Sequence, residues 1–111
     1  MVTRMKPQAS DEAILRRFRS ALHAIYGDRL ERVVLFGSRA RGDARPDSDY
    51  DVAVFLREMG DRFAEMNRLA DLGGQILEET GEFIHAMPYR AGSYDERTPL
   101  MHEIRAGGVD L

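Results

Sequence analysis

The stretch VVLFGSRARGDARPDSDYDVAVFL, residues 33–56, decides how this chain is read. It places an apolar, β-branched run, a Gly37-Ser38 turn and a second apolar run close together, with Asp49 and Asp51 at the mouth of the second run. Carboxylates are costly to desolvate and repel one another. Two of them flanking a single residue at the start of a buried strand point to something cationic between them. Residues two apart on a strand face the same side, so Tyr50 should point the other way.

The rest of the chain supplies the frame. RVVLF (32–36) reads as a short buried strand, and YDVAVFL (50–56), apolar on both faces, as a central one. GSRARGDARPDS between them reads as a turn with one helical turn inside it. Upstream, residues 10–27 form a helix pattern with Ile14, Leu15, Phe18, Leu22 and Ile25 at helical spacing. Ser10 can cap it, Asp11 and Glu12 suit its positive end, and Gly27 stops it. Downstream, residues 59–81 carry a second stripe of Phe63, Met66, Leu69, Leu72, Ile76 and Leu77, stopped by Gly81. The Gly73-Gly74 pair weakens that helix by about 1 kcal/mol per glycine relative to alanine, unless it serves close packing. EFIHAMPY (82–89) is a third strand ended by Pro88, and RAGSYDERT a loop. Thr98 and Pro99 open a last short helix, closed by Gly107-Gly108. The order αβ(α)βαβα predicts an α/β (α+β) fold, a small mixed sheet flanked by helices, in one domain spanning 1–111.

Composition bounds the function classes. The chain has 111 residues, 43% hydrophobic and 32% charged, which is enough for one modest core and argues against disorder. A net charge of -3 gives no basic field, so direct nucleic-acid binding is not expected. With no cysteine, disulfides and thiolate zinc sites are excluded. MVTRMKPQAS lacks an apolar signal region and no apolar run approaches membrane-spanning length, so a cytoplasmic protein with no membrane contact is the expectation.

Two carboxylates side by side without an intervening base make a cradle for a hard divalent cation such as Mg²⁺, with Mn²⁺ as the alternative. Gly37 allows close backbone approach, and the Ser38 hydroxyl and following amides can donate to phosphate oxygens. Arg39 and Arg41 add positive charge nearby and join Gly37 and Ser38 as the candidate phosphate-binding residues. Metal on one wall and phosphate donors on the other describe a nucleoside-triphosphate site of the kind that phosphoryl or nucleotidyl transfer requires. Each part alone has a plainer reading. Gly-Ser is a common turn, Asp-x-Asp a common strand edge, and Arg39 and Arg41 could pair with Asp43 and Asp47 at small energetic worth. The combination of Gly37-Ser38, ten residues, then Asp49-Tyr50-Asp51 between two apolar strands is far less ambiguous.

At these residues the chain resembles the minimal nucleotidyltransferases of the DNA polymerase beta-like superfamily, whose Gly-Ser, ten residues, Asp-x-Asp signature it matches without a gap over residues 32–56. The resemblance implies the polymerase beta-like nucleotidyltransferase fold. It implies that Gly37, Ser38 and neighbouring groups hold the triphosphate while Asp49 and Asp51 bind Mg²⁺. It also implies transfer of AMP from ATP with release of pyrophosphate. Many members are antitoxins that adenylylate a tyrosine of a helical HEPN toxin encoded beside them, which implies that protein as partner.

One position departs from the family pattern. A third carboxylate usually stands on the strand after the long helix, and the matching slot here holds His85. Histidine is a poor Mg²⁺ ligand, but imidazole, titrating near pH 6.5, suits a general base. Glu82 is the acid of that strand and should face away from His85. The alternative is a structural His85 in a weak or inactive enzyme that neutralises its partner by binding. A nucleotidyltransferase acting on a small molecule such as an aminoglycoside is a further alternative, though such enzymes usually carry an added acceptor domain. Arg97 and His102 match a loose ribonuclease spacing that belongs in an all-helical domain, so His102 reads as a helix-surface residue. Met59, Met66, Met87 and Met101 read as core or interface filler.

Overall fold

The structure is a computed structural model that describes residues 9–111, with side chains from Asp11 onward. The segment 1–8, and with it most of MVTRMKPQAS, lies outside the described residues, as does the capping side chain assigned to Ser10. The chain runs α1 (Ala9–Tyr26), a 3-10 turn (Gly27–Arg29), β1 (Leu30–Phe36), α2 (Ser38–Arg41), β2 (Tyr50–Leu56), α3 (Arg62–Thr80), β3 (Ile84–Arg90), a 3-10 turn (Ala91–Asp95), α4 (Pro99–Gly107) and β4 (Val109–Asp110). The strand order is β3-β2-β1-β4. β1 pairs antiparallel with β2 and β4, and β2 pairs parallel with β3, so the sheet is mixed as the element order predicts. The parallel pair needs a crossover, which α3 provides.

The period of two along each strand divides the core. Val33, Leu35, Tyr50, Val52, Val54, Leu56, Ile84 and Ala86 face α1 and α3. Val34, Ala53 and Phe55 face α4 with Met101 and Ile104. β2 is buried on both faces because it lies between β3 and β1 and sends alternate side chains into the two core clusters, which accounts for its apolar run. Each large apolar side chain so buried contributes about 1.5–3 kcal/mol.

Several expectations change. α3 begins at Arg62, with the Asp61 carboxylate accepting from the Ala64 amide at 3.2 Å. Its buried face runs through Glu65, Leu69, Leu72, Gly73 and Ile76, leaving Phe63 and Leu77 exposed. Glu65 takes a core position because Tyr26 donates to it at 3.0 Å and Arg29 at 2.7 Å. Pro88 lies inside β3 rather than ending it. β3 is an edge strand, where a nitrogen without a hydrogen can face away from its neighbour. β4 is two residues long, pairing Val109 with Leu35 and Asp110 with Val34. Thr98 caps α4 as expected, its hydroxyl accepting from the Met101 amide at 3.1 Å. Among the described residues no helix is long and apolar enough to cross a membrane.

Candidate active site

β1 ends at Phe36, directly opposite Asp51 in the antiparallel ladder. The chain then turns through Gly37 at φ 76°, ψ -156°, a conformation open essentially to glycine alone, and enters α2 at Ser38. A β-carbon on Gly37 would stand 2.7 Å from Asp51 Oδ2. The glycine is therefore required twice, by its backbone angle and by the carboxylate packed against it. The one-turn helix closes with the Ala40 and Arg41 amides both donating to Gly37 O at 3.1 Å. The structure thus brings the Gly37-Ser38 turn onto Asp51.

On the other side of β2, Asp51 is level with His85 of β3. His85 Nδ1 stands 3.8 Å from Asp51 Oδ1, longer than a hydrogen bond, and the ring remains 57% exposed. Asp49 lies just before β2 and is exposed. Burial pushes the Asp51 carboxyl above its ordinary value. The His85 charge works against that shift, and the Asp49 charge adds to it. The Glu103 charge, from α4, also disfavours ionisation of Asp51. Nothing in the spacing of the sequence marks Glu103; α4 brings it to the Asp51 face of the sheet.

The arginines are placed differently from expectation. Arg39 is buried on the opposite face, over the Tyr50 ring at 4.3 Å. Its Nε and Nη2 donate to Ser48 O at 3.2 and 2.8 Å, and Nη2 also donates to Pro46 O and Glu82 Oε2. Nη1 lies 3.5 Å from Asp11 Oδ1, to which the Tyr50 hydroxyl donates at 2.6 Å. Burial, and then this hydrogen bond, push the Tyr50 phenol well above its ordinary value. Tyr50 does point away from Asp51, and Arg39 follows it, so the Arg39 guanidinium is not among the groups facing Asp51. Arg41 is exposed and pairs with Asp43 at 3.2 Å. Glu82 turns toward Arg39, away from His85, as its odd separation along the chain predicts. His102 is exposed on α4.

The mixed sheet with its helices is the fold of a nucleotidyltransferase domain. A family profile described as nucleotidyltransferase domain matches residues 15–97, and the chain belongs to that family. Two proteins of Methanocaldococcus jannaschii are similar to it. "Putative protein adenylyltransferase MJ0141" is 46% identical over 46 residues, covering 41% of this chain and 46% of that protein. "Putative protein adenylyltransferase MJ0604" is 32% identical over 78 residues, covering 70% and 72%. The chain thus spans less than half of the first and nearly three quarters of the second. Among solved structures, a toxin–antitoxin with AMP-PNP superposes with a TM-score of 0.61 at 20% identity, over 85% of this chain and 69% of that one. A mutant of the toxin–antitoxin MntA-HpeT gives 0.60 at 18% identity, with the same coverage. These likenesses bear out the α+β fold of the polymerase beta-like nucleotidyltransferases and the resemblance to their minimal members.

Proposed function

We propose that this chain transfers AMP from ATP to a hydroxyl of a partner protein, a tyrosine of a HEPN-type toxin, and so acts as its antitoxin. The observation that carries the reading is the packing of Asp51 against Gly37 on one side and its alignment with His85 on the other. That convergence supports reading the turn as a phosphate site, Asp51 as a metal-binding carboxylate and His85 as a proton acceptor at one place.

The donor set fits a magnesium ion that arrives with its nucleotide. Among the described residues no three His, Asp or Glu side chains cluster to hold a metal unaided. Mg²⁺ does not need such a cage, since it commonly binds through one or two carboxylates plus substrate phosphates. Asp49 and Asp51 are the residues that would hold it. Bound there, the ion would supply charge neutralisation along the triphosphate. The Ser38 hydroxyl and the first amides of α2 are the donors for the phosphates. His85, half exposed beside Asp51, accepts the proton of the attacking hydroxyl. The acceptor oxygen then bonds to the α-phosphorus, and pyrophosphate leaves with the electrons of the broken P–O bond.

The partner reading draws on the relatives named as protein adenylyltransferases and on the fold neighbours that are toxin–antitoxin structures. His85 in place of a third acid favours a second reading, an antitoxin that neutralises by binding with little or no transfer. Co-expression with the product of the adjacent gene, followed by incubation with ATP and Mg²⁺, tests both. A partner heavier by one adenylyl group (AMP less water), on a tyrosine, is the expected result. Relief of toxicity without an adduct selects the binding reading, and neither effect defeats both.

A further inference from the structure

We propose that Arg39 is a positioning residue: its buried guanidinium ties the backbone beside Asp49 to the one-turn helix that carries Ser38, and so sets the distance between the metal-binding carboxylates and the phosphate turn. The inference rests on the nucleotidyltransferase reading above and deepens it.

Asp49 needs such a support. Its side chain is exposed and it precedes the first residue of β2, so the β1–β2 ladder, which reaches only to Asp51, does not hold it. The segment before it is braced locally, by Ser48 N donating to Arg45 O at 3.0 Å and Arg45 N donating to Ser48 Oγ at 2.9 Å. After it, Tyr50 N donates to Phe83 O at 3.0 Å. The remaining hold is the fork of Arg39 on Ser48 O, the carbonyl that begins the peptide link to Asp49, with a further bond to Pro46 O. Arg39 follows Ser38 directly, so one side chain joins the two halves of the site.

The guanidinium is itself held from three directions. Asp11 comes from α1, the Tyr50 ring from β2 and Glu82 from the turn before β3. These acids balance the charge that burial would otherwise penalise. A planar fork with several donors is needed to reach two carbonyls and two carboxylates at once. Lysine, a point charge on a flexible stem, cannot reproduce it.

The test compares wild type with Arg39→Lys, which keeps the charge and loses the fork. A double variant, Arg39→Met with Asp11→Asn, removes both charges so that no carboxylate is orphaned on α1. The readouts are amide hydrogen exchange, binding of Mn²⁺ with a non-hydrolysable ATP analogue, and the thermal midpoint. Exchange should accelerate across residues 43–49 while 50–56 stay protected. Mn²⁺–analogue affinity should fall by about tenfold or more, the scale on which residues supporting metal ligands act. Folded variants with unchanged exchange and affinity would overturn the proposal. So would exchange rising evenly through β2 with a lowered midpoint, or failure of both variants to fold, since each assigns Arg39 to the core alone. If wild type does not bind Mn²⁺ with the analogue, the nucleotidyltransferase reading fails, and the exchange at 43–49 by itself decides whether Arg39 holds the loop.

Discussion

The Asp51 carboxylate lies against Gly37 so closely that Oδ2 stands 2.7 Å from where a β-carbon would be. The strand carrying the carboxylate proposed to hold the metal and the turn proposed to hold the phosphates are thus in contact through an absent atom. Gly37→Ala should therefore fail twice. The backbone angle strains an alanine by about 1–3 kcal/mol, and the methyl group displaces Asp51. Thermal melts should show the first effect. Calorimetric titration with Mn²⁺ and an ATP analogue, well below the melting range, should show the second as lost binding in protein that is still folded.

Asp51 is held in a setting that disfavours its charge, first by burial and also by Asp49. Asp51→Asn should accordingly raise the thermal midpoint of the metal-free protein while removing metal-dependent nucleotide binding. In wild type, Mg²⁺–ATP at a hundredfold excess over Kd should add about 2.7 kcal/mol of stability, and this increment should vanish in the variant. Differential scanning fluorimetry with and without Mg²⁺–ATP reads both. A variant with the wild-type increment would show that the nucleotide binds elsewhere.

Gly73 and Gly74 are adjacent on α3 yet should respond oppositely. A β-carbon on Gly73 would lie 2.7 Å from Ile84 O, whereas one on Gly74 meets nothing within 4 Å. Gly74→Ala should stabilise the helix by up to about 1 kcal/mol. Gly73→Ala should push α3 from the start of β3 and cost about 1–3 kcal/mol as overpacking. Because Ile84 precedes His85, only the second should also disturb the site, measurable as a shifted His85 imidazole resonance.

Much of this site was legible because its parts are fixed by local spacing. Gly37-Ser38 sits where an apolar strand stops, and the Asp-x-Asp where the next begins. Counting from the helix stop at Gly81 puts His85 in the slot of the family's third carboxylate, and the β2–β3 register sets it level with Asp51. What was not legible depends on side chains brought from distant segments. Arg39 reads as a phosphate ligand beside Ser38, but its direction is decided by Asp11, Tyr50 and Glu82, none of them near it in the chain. The helical period of α3 names Phe63 as core, yet that period cannot show that Tyr26 and Arg29 would favour Glu65 instead. Pro88 reads as a strand end unless β3 is known to be an edge, and β4 is too short to carry a pattern.

Glu65 sets an acid limit on the fold. Burial alone would raise its carboxyl, but the hydrogen bonds from Arg29 and Tyr26 and the charges of Arg29 and Arg68 outweigh it and hold it below the ordinary value of 4.5. A lowered carboxylate contributes stability in full above its unfolded value, and loses it as pH falls through the folded one. Denaturation at a series of pH values from neutral downward should therefore show stability falling below about pH 4.5, the ordinary value for glutamate. Glu65→Gln should flatten that limb while lowering stability at pH 7. Glu65→Ala, which orphans the Tyr26 hydroxyl and the Arg29 charge, should cost about 3 kcal/mol or more.

The most direct test of the account is transfer of label from α-³²P ATP to the co-expressed partner, compared in single turnover among wild type, Asp51→Asn and His85→Ala. Wild type should label the partner on a tyrosine and release pyrophosphate. Asp51→Asn should abolish labelling. His85→Ala should slow it by about 10²- to 10⁴-fold, the usual worth of general-base assistance, with nucleotide binding retained. Labelling by Asp51→Asn at the wild-type rate, or no labelling by wild type under conditions where it binds Mg²⁺–ATP and the partner, would contradict the assignment of this site to nucleotidyl transfer.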